Sequence, residues 1–139
     1  MVKPEVVAQK VTAARTRLAA TDEIFGRPLA EFLADVKERD LASFYLQLAI
    51  QDCIDLALHW VVDADWGTPP DSGTAFDILR DKGQIEPELA QALRAATALR
   101  NRIAHGYGTV DAARLHAEYP LGVQALREFL AAVAGAAGG

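Results

Sequence analysis

Residues 40–62 predict a helix that is apolar around most of its circumference. A surface helix carries one apolar stripe, whereas a helix that is apolar on nearly all sides is central to the core or shared with a second subunit. The apolar residues are Leu41, Phe44, Tyr45, Leu46, Leu48, Ile50, Cys53, Ile54, Leu56, Ala57, Trp60 and Val61. We therefore expect the remaining elements to pack around this segment.

The rest of the chain is also helical in pattern, because Ala and Leu dominate and alternating runs of β-branched residues are missing. The further predicted helices cover residues 4–20, 29–36, 73–81, 87–105 and 111–134. Pro120 and Gly122 should kink or split the last of them. The pattern predicts an all-α bundle with short loops, in one domain over residues 1–139, with a disordered tail at 135–139.

Composition narrows the class of protein. The chain has 139 residues, of which 51% are hydrophobic, so one domain can bury a core. Cys53 is the only cysteine, which excludes an intramolecular disulfide and a cysteine-based zinc site and suits a reducing cytoplasm. The N-terminal ten residues lack an apolar signal core, and polar residues interrupt the apolar runs. We expect a cytoplasmic protein without a membrane span.

The charge of the chain is unevenly distributed. The net charge is −5, which argues against a protein that coats nucleic acid. Residues 91–116 nevertheless carry a local charge of +3, so the rest of the chain carries −8. The cations of this window are Arg94, Arg100, Arg102 and Arg114, and Asp111 is its only acid. An acidic body with one cationic site fits a protein that engages phosphate at one place.

A polar row interrupts the apolar helix over residues 40–62. Gln47, Gln51, Asp55 and His59 follow one another at four-residue spacing, with Asp52 beside them. The row is either a solvated stripe or the lining of a site. The sequence leaves both interpretations open.

A cationic and polar cluster ends the helix predicted over residues 87–105. The sequence RNRIAHGYG contains Arg100, Asn101, Arg102, His105 and Tyr107. One interpretation is ordinary capping, since helix C-termini favour cations through the helix dipole. The other is a functional site.

Arg100 has an unusual place in that helix. On a wheel of 100° per residue it falls in the middle of the apolar face formed by Leu89, Leu93, Ala96 and Ile103. A guanidinium there is unfavourable unless it meets an anion or hydrogen-bonding partners. It therefore pairs with an acidic residue, for which Asp55 is the internal candidate, or it awaits an anionic ligand.

His105 adds proton-transfer chemistry to this cation. The imidazole titrates near neutral pH, and the guanidinium matches phosphate geometry. Together they form a minimal set for RNA cleavage without a metal, in which the histidine handles the proton and the arginine stabilises phosphoryl charge. His59, His105 and His116 are scattered and no HExxH pattern exists, so we expect no metal and no cofactor.

The segment Arg100–Asn101–Arg102–Ile103–Ala104–His105–Gly106–Tyr107 resembles the R-N-x-x-x-H-x-Y signature of HEPN-domain proteins, and in detail that of the HepT toxins of HepT/MntA toxin–antitoxin systems. The preceding stretch TAFDILRDKGQIEPELAQALRAATAL and the helix LASFYLQLAIQDCIDLALHWV are also similar to this family. The resemblance covers about residues 38–134, and the N-terminal helix fits loosely.

The resemblance implies a homodimeric bundle of four or five helices with a composite ribonuclease site at the subunit interface. By this likeness Arg100 and His105 are catalytic, with Asn101 as the orienting polar neighbour. From the basic window and the polar row, and not from the likeness, we expect Arg102, Asp55 and Gln51 to be supporting residues. The substrate is RNA, either mRNA or tRNA, cleaved by attack of the 2′-hydroxyl.

Tyr107 matches the tyrosine that, in HepT toxins, receives AMP from the cognate nucleotidyltransferase antitoxin of the MntA type. Added AMP would bring bulk and negative charge beside the Arg/His pair and repel RNA phosphate. The alternative function is a non-catalytic companion of a small nucleotidyltransferase, acting as a substrate-binding or scaffold subunit, which the acidic net charge favours slightly. A third possibility is a plain helical dimerisation module.

Overall fold

The computed structural model describes residues 4–106 and 110–138, and the helices of this part of the chain account for nearly all of it. They are α1 (Pro4–Phe25), α2 (Leu29–Ala34), α3 (Val36–Asp63), α4 (Ser72–Asp81), α5 (Pro87–Gly106) and α6 (Ala112–Gly138). The described residues contain no strand, which confirms the all-α prediction.

The count of four or five helices is wrong for the described residues, which form six. The element beyond that count is the short α2, which the helical pattern predicted over residues 29–36 and which is separate from α3. Asp35 leaves the helical conformation, with φ −95° and ψ 84°, and its carboxylate accepts a hydrogen bond from the Glu38 N–H at 3.2 Å. This N-cap starts α3 as a separate helix.

α3 is the central helix, as its apolar circumference predicted. It contacts α1, α2, α4, α5 and α6. Its buried apolar residues are Ala42, Leu46, Ala49, Ile50, Cys53, Ile54, Leu56, Ala57, Trp60 and Val61. Burial also raises the pKa of the Cys53 thiol, with a smaller contribution from neighbouring Asp52.

α3 is long and apolar enough to cross a membrane, with a mean hydropathy of 1.3 over its most apolar window. Length and hydropathy alone are weak evidence, because the core helix of a soluble protein passes the same test. In this helix 56% of the window is buried inside the bundle. The burial fits a core helix of a soluble protein.

α4 is fixed at its start and against α5. The Asp71 carboxylate accepts hydrogen bonds from the N–H and the hydroxyl of Thr74, both at 2.8 Å, and these bonds hold the Asp71 pKa below its usual value. Arg94 of α5 bonds Asp77 at 2.6 Å. Its guanidinium lies so close to Gly73 that a Cβ there would stand 2.9 Å from Nη1.

α6 runs from Ala112 to Gly138 with Pro120 inside it, so of the predicted kink or split the split is wrong. Proline removes one helical hydrogen bond but does not prevent packing on either side of it. Leu115 and Tyr119 before it and Val123 after it are all buried, and these contacts hold one continuous helix. The single domain and the disorder of residues 135–139 in solution stay predictions.

A polar cluster joins the end of α1 to α6, and we call it the α1–α6 cluster (Thr21, Asp22, Tyr119 and Arg127). The Tyr119 hydroxyl donates to Asp22 Oδ1 at 2.6 Å and lies 2.7 Å from Thr21 Oγ1. Arg127 bonds the other carboxylate oxygen of Asp22 at 2.5 Å. The Tyr119 ring stacks on Phe25, with ring centroids 4.1 Å apart. This cluster ties the two helices together where α1 ends.

Candidate functional site

Arg100 lies on the face of α5 that packs into the bundle, as the helical wheel predicted. It is half-buried. The residues that surround it on this face are buried, and they are Leu93, Ala96, Thr97 and Ile103. A permanent cation is therefore held at the edge of the core, two turns before the helix ends.

The direct partner of Arg100 is Gln51 of α3. Arg100 Nη1 donates to Gln51 Oε1, and Arg100 Nε is buried without a hydrogen-bond partner in the described chain. Of the two alternatives that the sequence left open for Arg100, direct pairing with Asp55 is not the one that the structure has, because the amide of Gln51 lies between them. Asp55 instead accepts from Gln51 Nε2 at 2.9 Å.

The hydrogen bonds continue from Asp55 into α1. Lys10 Nζ lies 3.3 Å from Asp55 Oδ2 and 3.8 Å from Asp52 Oδ1, and Arg17 also bonds Asp52. We call the chain of four side chains Lys10, Asp55, Gln51 and Arg100 the polar relay. It connects α1 through α3 to α5.

The polar row predicted on α3 is thus split in function. Gln51 and Asp55 belong to the polar relay, which favours a site lining for these two residues. Gln47 is half-buried and His59 is exposed, and neither joins the relay within the described ranges 4–106 and 110–138. Asp52, beside the row, is 8% exposed and holds the cations of α1.

The remaining motif residues sit at the C-terminal end of α5. Asn101, Arg102 and His105 are exposed, in contrast to half-buried Arg100. Five residues correspond to about 140° around an ideal helix, so Arg100 and His105 lie on different faces of α5. Within one chain they are therefore not brought together side by side. Tyr107 lies outside the described residues.

Two of the four cations in the basic window are neutralised. Arg94 pairs with Asp77, and Arg114 pairs with Glu118 at 2.8 Å. The Glu118 bond also raises the pKa of the Arg114 guanidinium. Arg100 and Arg102 form no ion pair among residues 4–106 and 110–138. Within this window, the positive charge that no described carboxylate neutralises therefore lies near the end of α5.

Lys10 and Arg17 are the residues that the sequence analysis missed. They lie seven residues apart on α1, about two helical turns, and so share one face. On this shared face, Lys10 contacts Asp55 and Arg17 contacts Asp52 of α3. The spacing alone does not reveal which neighbouring helix this face contacts.

The relay residues do not line the open groove that the structure has beside α6. An open groove of about 660 Å³ runs along α1 and α6, and its lining includes Asp22, Phe25, Tyr119, Val123 and Arg127. In the part of the chain that the structure describes, no three His, Cys, Asp or Glu side chains are grouped so that they could hold a metal ion.

The sequence matches known proteins. The chain is 24% identical to the mRNA nuclease HepT of Shewanella oneidensis over 103 residues, which cover 74% of this chain and 77% of the relative. A model of the family described as "HepT-like: Ribonuclease HepT-like" matches residues 15–133. This match includes the second half of α1, which extends the likeness toward the N-terminus beyond residue 38.

The fold matches solved toxin–antitoxin structures. A mutant MntA–HpeT toxin–antitoxin complex superposes with a TM-score of 0.83 at 19% identity, over 92% of this chain and 97% of the other. The tri-AMPylated HEPN toxin of Shewanella oneidensis in complex with its MNT antitoxin gives a TM-score of 0.81 at 20% identity, over 92% and 96%. At these identities the structures show a shared fold. With the family match over most of its length, this chain belongs to the HepT-like ribonuclease family.

Proposed function

We propose that this protein is a metal-independent endoribonuclease toxin of a toxin–antitoxin pair. The observation that carries the proposal is Arg100: a half-buried cation, held by a neutral amide, near the end of a helix whose last turn presents exposed His105. Membership of a ribonuclease family and the likeness to an mRNA nuclease support the assignment.

The chemistry follows from the two residue types. The ribose 2′-oxygen attacks phosphorus, the bond from phosphorus to the 5′-oxygen breaks, and a 2′,3′-cyclic phosphate and a free 5′-hydroxyl result. His105 takes the 2′-hydroxyl proton or protonates the leaving oxygen, and Arg100 stabilises the charge that builds on the phosphoryl oxygens. Asn101 orients the substrate and Arg102 adds positive charge. Neither role requires a metal ion or a cofactor.

A second copy of the chain would complete the site. Arg100 and His105 diverge on α5, so one histidine can serve the arginine of the partner more easily than its own. The outward row of α3 supports an interface there, because Leu41 is 41% exposed and Phe44 is 51% exposed, and the same row leads to Gln51. Exposed apolar side chains next to a functional site favour burial against another subunit.

The proposed partner is a nucleotidyltransferase antitoxin of the MntA type, which silences the toxin by transferring AMP to Tyr107. The solved complexes of a HEPN toxin with an MNT antitoxin, one of them tri-AMPylated, support this assignment. The substrate class is mRNA or tRNA, and the pair works in the cytoplasm. The free cations at the end of α5 fit an RNA phosphate that modification would repel.

The alternative function is a non-catalytic companion of a small nucleotidyltransferase. The net charge of −5 favours it, since RNA binding to an acidic surface is weak. Arg100, Asn101, His105 and Tyr107 together favour the nuclease, because a scaffold needs none of them.

Expression in a bacterial host tests the proposal. Wild-type protein should arrest growth, whereas the His105→Ala variant should not, because the proton carrier is lost. The Tyr107→Phe variant should arrest growth even with the antitoxin present. Equal growth with wild-type protein and His105→Ala contradicts a toxic nuclease and favours the companion function. Purified wild-type protein should cleave RNA in the presence of EDTA, and loss of cleavage there contradicts a metal-independent mechanism.

A further inference from the structure

The partner of Arg100 is neutral, although the carboxylates of Asp52 and Asp55 lie within about one turn of that partner on α3. We infer that Lys10, Asp55 and Gln51 are positioning residues of the site: they aim the Arg100 guanidinium and leave its positive charge uncancelled. This inference rests on the proposed ribonuclease function and deepens it, since it names residues outside the Arg/His motif.

The first step concerns the number of bonds that hold Arg100. Of the guanidinium nitrogens, Nη1 bonds Gln51, and Nε is buried with no partner within the described chain. A planar guanidinium that forms a hydrogen bond at one end only can rotate about its side-chain bonds unless the acceptor is fixed. The direction of the cation therefore depends on Gln51.

The second step concerns the orientation of Gln51. An amide offers an acceptor oxygen at one end and a donor NH₂ at the other. Ionised Asp55 accepts only, so Nε2 must face it, at 2.9 Å, and Oε1 must face Arg100. The charge on Asp55 thus fixes the amide in the single orientation that can accept from a guanidinium.

The third step concerns charge. Lys10 lies 3.3 Å from Asp55 and supplies its countercharge, and Arg17 does the same for Asp52. Neither carboxylate needs Arg100 as a partner. A carboxylate at position 51 would form a charge-assisted pair with Arg100 and cancel the cation before RNA arrives. The neutral amide of Gln51 fixes the direction of the Arg100 guanidinium and leaves its positive charge uncancelled.

Substitutions at position 51 test the relay in the full-length protein. Gln51→Glu keeps the shape and adds a negative charge, Gln51→Met keeps the length and removes the acceptor, and Gln47→Glu is the matched control one turn earlier on α3. We expect Gln51→Glu to lower kcat for cleavage of a short RNA by about 10- to 100-fold and Gln51→Met to lower it less, because the charge of Arg100 acts on the transition state. Gln47→Glu should stay within about twofold.

The pH profile separates positioning from a general loss of structure. Position 51 faces Arg100 on α5 and Asp55 on α3, with Lys10 behind Asp55. A protonated Glu at position 51 is neutral and again presents an acceptor oxygen and a donor. The activity of Gln51→Glu relative to wild type should therefore rise as the pH falls, while the ratio for Gln47→Glu stays constant. A constant ratio for Gln51→Glu overturns the inference, as does equal loss of kcat in both glutamate variants.

The guanidinium signal gives a second test that needs no RNA. In ¹⁵N NMR spectra, the Arg100 Nη protons, assigned by their absence in Arg100→Lys, should be broadened in Gln51→Met and unchanged in the Gln47→Glu control. If the wild-type protein cleaves RNA but Gln51→Glu matches it, the positioning role fails and the nuclease stands. If the wild-type protein cleaves no RNA, the proposed function fails. In that case the NMR signal of Arg100 alone tests the positioning role, and an unchanged signal in Gln51→Met overturns that role.

Discussion

The α1–α6 cluster and the polar relay each contain an arginine and an aspartate at a helix interface. In the cluster the two opposite charges pair directly, whereas in the relay they do not. In the α1–α6 cluster Arg127 bonds Asp22 directly, and the second carboxylate oxygen accepts from Tyr119. In the relay an amide separates Arg100 from Asp55, and Arg100 Nε has no partner in the described chain.

The difference teaches how to recognise a functional site in a small bundle. A structural cluster satisfies its donors and cancels its charges, because uncompensated buried groups lower stability. A site for an anionic substrate keeps a cation available, at a cost in stability. The open groove of about 660 Å³ lies at the α1–α6 cluster, whereas Arg100 does not line it. The cavity would therefore point away from the proposed site.

The strongest way to break this comparison is to replace each arginine by methionine. Arg100→Met should lower RNA cleavage by about 100-fold or more, because transition-state charge loses its partner, while the proposed dimer is kept. Its free energy of unfolding should stay equal or rise, since an unsatisfied buried donor disappears. Arg127→Met is the matched control, with cleavage unchanged and stability lowered by at most about 1 kcal/mol.

Cleavage assays and urea unfolding of both variants decide the outcome. Equal loss of stability in the two methionine variants would mean that Arg100 is structural. Dissociation of the dimer in Arg100→Met, seen by size-exclusion chromatography with light scattering, would lead to the same conclusion.

The sequence predicted much of this arrangement, since local signals specify it. The starts of α1 and α5 follow from Pro4 and Pro87, and the position of Arg100 follows from the helical period alone. The family motif marked Arg100 and His105 as candidates, and the polar row on α3 contained Gln51.

Other features depend on tertiary contacts that a single sequence does not reveal. Lys10 and Arg17 were missed because their role depends on which helix α1 meets. Charge suggested Asp55 as a candidate partner of Arg100, but the side chain one turn earlier, Gln51, is the one that bonds it. Of the predicted kink or split at Pro120, the split does not occur because buried neighbours on both sides hold α6 together.

A smaller effect is expected at the α1–α6 cluster, which is the structural cluster in the comparison. Tyr119→Phe removes the hydroxyl that donates to Asp22, and it should lower the free energy of unfolding by about 1 kcal/mol without changing cleavage. Tyr45→Phe is the control, because the half-buried Tyr45 has no hydrogen bond from its hydroxyl among the described residues. The free energies of unfolding of Tyr119→Phe and Tyr45→Phe, measured with urea, should therefore differ by about 1 kcal/mol. Equal stability would mean that water replaces the Tyr119 bond without loss.

The smallest expected effect is a pH dependence of the difference in free energy of unfolding between wild type and Tyr119→Phe. Burial, followed by the hydrogen bond to Asp22, raises the pKa of Tyr119 above its usual value. Above about pH 10 the unfolded chain therefore loses the phenol proton while the folded protein keeps it, so wild-type stability falls as the pH rises. The phenylalanine variant lacks this proton. The stability advantage of wild type over Tyr119→Phe should thus be constant up to about pH 9 and shrink from about pH 10 upward, measured by urea unfolding at each pH. An advantage that stays constant through about pH 11 would mean that the phenol is as free to ionise in the folded cluster as in the unfolded chain, and the contrast between a closed cluster and an open relay would be lost.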